Sequence, residues 1–196
     1  MRRRMLAAVA GLTLALTGIV WLVRAGGAPA DDVRDILQPP GCPSPCWAGI
    51  RPGETLAQTA RDRLSAHPWV GASRGTRAIA FGWSGRQPDV IDDRREAVMV
   101  MRDDHVHYVA LPTRIPLGEV LALLGMPRRV SWTFDQMARK HYSLGYPHLH
   151  LEVFFVMDSC RLKYRQMLTL WTTLYWSDLV APPQDSPPTA RDLLRC

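Results

Sequence analysis

Histidine and cysteine are the residues of this 196-residue chain whose types and spacing could do chemistry beyond packing. Four of the six histidines fall in two motifs, His105-Val106-His107 and His148-Leu149-His150, with Glu152 two positions beyond the second. If each motif lies on a strand, alternation of side chains sends His148, His150 and Glu152 to one face, opposite Leu149, Leu151 and Val153. Two imidazoles and a carboxylate so placed could hold a divalent transition metal. The plainer reading is a strand that shows its polar face to water, and then no cofactor is implied.

Four cysteines, Cys42, Cys46, Cys160 and Cys196, allow three disulfide pairings. The favoured one joins Cys42 to Cys46, closing a short proline-containing loop, and Cys160 to Cys196, tying the chain end to the body. A zinc site would want two tight pairs, and the only close pair is C-x3-C with isolated partners. A thioredoxin-like redox site would want C-x-x-C after a strand, which Pro43-Ser44-Pro45 does not supply. No P-loop, G-x-G-x-x-G, H-E-x-x-H or G-x-S-x-G occurs, so the reading is of a protein that is not an enzyme.

Aromatic residues make a second candidate. Trp171, Tyr175 and, on the alternate face, Trp176 crowd the last predicted strand, while Phe154 shares the face of His148, His150 and Glu152. If helices cover only one side of the sheet, these rings form a docking surface for an envelope protein or another extracytoplasmic partner.

The elements that must position these residues begin with an export signal. Met5 to Val23 is uncharged and follows Arg2-Arg3-Arg4. Its length favours an uncleaved anchor, and the arginines keep the N-terminus in the cytoplasm, giving a single-pass membrane protein whose C-terminal domain lies outside. Gly26-Gly27-Ala28-Pro29-Ala30 offers an A-x-A site, so cleavage after Ala30 would make the chain secreted. The net charge of +6 owes much to this leader. Without Arg2, Arg3, Arg4 and Arg24, twenty basic residues face eighteen acidic ones, which excludes the concentrated basic face of a nucleic-acid binder.

Residues 31–48 read as a Pro/Cys-rich lead-in, 49–178 as one domain, and 179–196 as a Pro-rich tail. Thr55-Leu56-Ala57-Gln58 has capping-box spacing and predicts a helix with Leu56, Ala60 and Leu64 on one face, stopped by His67-Pro68. Thr113 as cap, Pro116 in the first turn and Gly125 past the end predict a second helix with Leu117, Val120, Leu121 and Leu124 inward. Strands are predicted around Ile79–Trp83, at 97–101, 106–111, 149–157 and 167–176, with an exposed acidic hairpin at Arg102–His105. Helix followed by strands therefore occurs twice, in halves of about 49–111 and 113–178. The fold class is α+β, a small antiparallel sheet with short helices on one face in two pseudo-repeats, preceded by a transmembrane or signal helix. A faint echo between Ile50-x-x-Gly53-Glu54-x-Leu56-Ala57 and Ile115-x-x-Gly118-Glu119-x-Leu121-Ala122 accompanies it.

Ile115 to Val130, IPLGEVLALLGMPRRV, resembles the helix signature of the BamE (SmpA/OmlA) family of small exported proteins, with its hydrophobic-x-x-Gly step and closing Leu-Gly-x-Pro. The β-lactamase-inhibitor-protein family is similar and carries two such helix-plus-sheet units in tandem. The resemblance implies two short helices against a small antiparallel sheet. PCWAGIRPGET, residues 45–55, is similar to the opening of a group of uncharacterised exported bacterial proteins, which implies no activity. No cysteine precedes Cys42, so the lipid anchor of BamE lipoproteins is not carried over. In PCWAGIRPGET a Cys42–Cys46 bridge, a buried Trp47 and Ile50, and Pro52-Gly53 make an entry clip to the first helix.

Overall fold

Ile79, Phe81 and Trp83 alternate with small residues, and a strand written that way buries one pleated face and leaves the other free. The computed structural model describes residues 11–18, 30–39, 41, 42, 44–134, 139–157 and 171–177. It shows this pattern repeated through an eight-stranded antiparallel sheet. The strands are β1 (Val70–Arg74), β2 (Ala78–Trp83), β3 (Ala97–Arg102), β4 (His105–Pro116), β5 (Arg129–Phe134), β6 (Lys140–Tyr146), β7 (Leu151–Met157) and β8 (Trp171–Ser177). Their order is β1-β2-β3-β4-β8-β7-β6-β5, so two four-strand meanders meet where β4 pairs with β8. Among the described residues the helices α1 (Ala30–Leu37), α2 (Ala57–Ala66) and α3 (Leu117–Leu124) accompany them, apart from the helical stretch at 11–18, and α2 precedes the first meander as α3 precedes the second.

One cluster forms the interior. Among its strand members Phe81, Met99, Val109, Leu174, Val153 and Leu144 come one from each of six neighbouring strands, and their pairing registers put them on one face. Leu64 of α2, Val120 of α3 and Ile36 of α1 join the same cluster, so the helices cover that face. Burial of this apolar area is the main source of stability. At the tip between β3 and β4, Asp103 and Asp104 take φ of 50° and 64°, the two left-handed positions of a tight two-residue hairpin, as the sequence predicts.

The seam between the meanders is irregular for a chemical reason. Pro112 has no N–H to give the ladder, and the register shifts between Pro112–Thr173 and Pro116–Trp171. Two buried hydroxyls repair the gap: Thr113 Oγ1 donates to Thr172 O at 2.8 Å, and Thr172 Oγ1 donates to Ile115 O at 3.1 Å.

The entry clip is present. Cys42 and Cys46 are joined with Cα atoms 5.7 Å apart, and Trp47 and Ile50 bridge through two backbone hydrogen bonds and are buried. Trp47 stacks on Phe81 at 5.5 Å, and Ser44 Oγ donates to Leu149 O. Gly53 N donates to Val106 O at 2.7 Å and Val106 N to Thr55 O at 2.9 Å, so the clip runs beside the start of β4 where β8 has ended.

Several local expectations are corrected. Thr55 does not cap α2: its hydroxyl accepts from Arg51 N at 2.8 Å, closing the preceding turn, and the helix starts at Ala57 with no side-chain cap bond. The buried stripe is Ala57, Ala60 and Leu64, with Leu56 exposed. Thr113 lies in β4 at the seam rather than at the start of α3, while Gly125 does end that helix, with φ of 74°. Strands β1, β5 and β6 and helix α1, inside the stretch read as a lead-in, were not anticipated. Residues 11–18 of the apolar run are helical and exposed, and among the described residues no helix is long and apolar enough to cross a membrane. The remainder of the run, Gly26 to Pro29 ahead of the cleavage expected after Ala30, Cys160, Cys196 and the tail lie outside the described residues.

Candidate binding face of the sheet

Among the described residues the helices cover one face of the sheet only, and β8 at its centre shows the division most clearly. Leu174 and Trp176 point into the core, and Trp171, Thr173 and Tyr175 point the other way. Cross-strand register then builds the open face: Tyr175 stands opposite Ala110 on β4 and Glu152 on β7, and Thr173 opposite Pro112 and Phe154. The rings converge, with Phe154 and Tyr175 centroids 4.4 Å apart and Tyr108 and Tyr175 5.7 Å apart, forming a row across three strands. Trp171 extends it at one end and is 48% exposed. The Arg114 guanidinium carbon lies 5.7 Å from its ring centroid.

Arg95 brings a cation to the centre of this row. Arg95, in the bend before β3, places Nη1 3.4 Å from Thr173 Oγ1, and its carbonyl accepts from Trp83 Nε1 at 2.8 Å. Among the described residues no carboxylate lies within ion-pair distance of it. Other charges at the margins are matched: Arg74 forms a two-pronged pair with Glu96 at 2.5 Å, Arg114 pairs with Asp93, and Arg129 with Glu152. Two adjoining hollows of about 470 and 160 Å³ share Arg95, Thr173 and Tyr175; Trp171, His141 and Phe154 line the larger, Tyr108 and Ala110 the smaller. Burial pushes the Tyr175 phenol above its ordinary pKa, nearby Tyr108 adds to that, and Arg95 partly opposes it. Tyr175 is therefore a neutral hydroxyl at physiological pH. The arrangement offers flat apolar surface, phenolic hydroxyls and one guanidinium donor, the kit that anchors a protein contact.

A larger hollow of about 660 Å³ lies between α2 and the β3–β4 tip. It is lined by Arg61, Arg77 and Arg102 against Asp103 and Asp104, and it lacks a ring to anchor a partner.

Phe154, Trp171 and Tyr175 share the open face. Trp176 does not join them; it is 1% exposed, in the core. The second histidine motif is not on a strand. Pro147 opens a 3₁₀ turn, Pro147–Leu149, His150 follows with φ of 48°, and β7 starts only at Leu151. Strand alternation thus does not align His148 and His150 with Glu152. That carboxylate instead accepts from Arg129 and from Ser143 Oγ at 3.0 Å. His105 and His107 do lie on β4, where His105 Nδ1 sits 2.9 Å from Asp103 O. Among the described residues no three His, Cys, Asp or Glu side chains converge as a metal site.

Arg95, Tyr108, Thr173 and His141 line the face without having been singled out in the sequence. Tyr108 carries a signal, since it alternates with the inward Val109 and Leu111 in VHYVAL; Arg95 lies among other arginines and carries none.

No family model, no curated protein and no solved structure matches this chain.

Proposed function

We propose that this chain is an exported, membrane-tethered binding protein of the cell envelope that works by docking an extracytoplasmic protein on the open face of its sheet. The observation that carries the reading is the half-buried row Tyr108–Tyr175–Phe154 beneath Arg95, on a sheet whose other face is filled by helices. A sheet face that meets only water has no use for clustered rings, and their burial against a partner would recover apolar area that folding alone leaves wet. The partner presents apolar or aromatic side chains to the row and a carboxylate to Arg95. The uncharged run Met5–Val23 after three arginines supports the tether, and the Cys42–Cys46 bridge suits an oxidising location.

The element order, helix then four strands twice over, supports the tandem BamE-like reading of the fold as two pseudo-repeats. Fold alone does not carry activity, so the face is the basis of the proposal.

The test is affinity capture from envelope extracts with the full chain and with its Arg95→Glu/Tyr175→Ala variant. One defined partner recovered by the wild type and lost with the variant, both equally folded by circular dichroism, is expected. Equal recovery by both would reject this face as the docking site.

A further inference from the structure

Three hydrogen-bond donors gather at one point of the open face, and among the described residues no acceptor uses them up. Arg95 is exposed, spends one N–H on Thr173 Oγ1 at 3.4 Å, and has no carboxylate of the described residues within ion-pair distance. Thr173 Oγ1 accepts that bond, so its own hydrogen is left to donate. The Tyr175 hydroxyl makes no hydrogen bond among the described residues, and Arg95 is near enough to favour the charged form of its phenol. All three side chains line both hollows of the face and so stand at the divide between them.

The two sides of that divide differ. Phe154, Val156 and Trp171 give the larger hollow, of about 470 Å³, an apolar wall, and no carboxylate of the described residues lines it. Arg114 lies over the Trp171 ring at 5.7 Å and is itself paired with Asp93, so it steadies the wall while its charge is already met. The smaller hollow includes Glu96, whose two oxygens are both taken by Arg74 at 2.5 Å. The uncommitted charge on this face is therefore the Arg95 guanidinium, at the mouth of an apolar hollow.

A carboxylate is the matching group, because it only accepts hydrogen bonds and meets a guanidinium in a two-pronged pair. The hollow beside it asks for an apolar group. An aspartate or glutamate side chain brings the first without the second, and an internal apolar residue brings the second without the first. A C-terminal residue carries both on one Cα. Resting on the docking proposed above, we infer that the partner is held by its chain end: the side chain of an apolar C-terminal residue fills the larger hollow, and its carboxylate accepts from Arg95, Thr173 and Tyr175. The face then selects a free terminus with a large apolar last residue rather than any apolar surface.

The experiment measures fluorescence anisotropy with the full chain in detergent and the peptide Gly-Ser-Gly-Ser-Ala-Phe labelled at its N-terminus. Three forms are compared: the free acid, the C-terminal amide, and the free acid with serine as its last residue. The free acid is expected to bind roughly tenfold or more tightly than either of the others. Arg95→Gln should reduce the free acid to the affinity of the amide, and Tyr175→Phe, which keeps the ring, should narrow the gap, both with unchanged urea midpoints. Acid and amide binding equally, and both lost with Tyr175→Ala, would overturn the chain-end inference and leave docking on this face standing. Free phenylalanine that displaces the peptide at equal concentration would make the occupant a free amino acid and overturn it as well. No binding of the free acid overturns it too, and capture from envelope extracts then decides the docking reading separately.

Discussion

Tyr175 and Trp176 are neighbours on β8 with opposite duties. Trp176 is sealed in the core and pairs across to Val109 and Leu151, while Tyr175 stands on the open face between Tyr108 and Phe154. The closed face gains its free energy on folding, through helices α1 to α3 and the entry clip. The open face holds an equally aromatic surface whose apolar area folding leaves partly exposed. On the proposed function one strand serves stability on one side and recognition on the other, and substitutions on the two sides should separate into those that unfold the chain and those that leave it folded but inert.

The largest expected effect is at Trp176. Trp176→Ala empties a site between two central strands and should cost about 3 to 5 kcal/mol in urea unfolding, whereas Tyr175→Ala should cost about 1 kcal/mol or less. Equal losses would break the division between the faces. A smaller effect is expected at the seam: Thr172→Val keeps the shape but leaves Ile115 O without its donor, for a loss of about 1 to 2 kcal/mol. An unchanged midpoint would mean that the Pro112 bulge is held by other contacts.

The smallest effect is one of pH. His67 ends α2, lies tilted against Trp47 with ring centroids 5.5 Å apart, and its Nδ1 accepts from Trp69 N at 3.3 Å. Burial holds its imidazole below the ordinary 6.5, so the folded chain resists a proton that the unfolded chain accepts. Its contribution is therefore complete above pH 6.5 and is lost as the pH falls toward the folded value. Thermal midpoints measured from pH 7.5 to 5 should decline, and His67→Gln should flatten that decline. A midpoint independent of pH in the wild type would contradict it.

Where local pattern and tertiary role agreed, the sequence was readable. Alternation exposed β2, β3 and the centres of β4, β7 and β8, and Gly125 marked the end of α3. The clip was legible because prolines, cysteines and a tryptophan at that spacing have few other uses. The unanticipated elements have weak local signals. β6 carries Lys140, Ser143 and Gly145 among its inward tyrosines, and β1 is short and glycine-bearing, so both take their structure from their neighbours. Helix α1 shows Val33, Ile36 and Leu37 at helical spacing behind Asp31-Asp32, a signal masked by the proline-rich stretch after it. The histidine motif failed as a strand because Pro147, with its fixed φ, starts a 3₁₀ turn just there. Thr55 and Thr113 had the letters of helix caps, and tertiary demands took their hydroxyls elsewhere. The open face was half legible: ring positions follow from alternation, but which side the helices leave bare depends on packing.

The central claim is that the ring row beneath Arg95 is where a partner sits. Its most direct test places a photoreactive amino acid at Phe154, on the open face, or at Gln58, on the exposed surface of α2, in living cells. A discrete adduct from position 154 that disappears with Arg95→Glu, and none from position 58, is the predicted result. An adduct from position 58 alone would contradict the account.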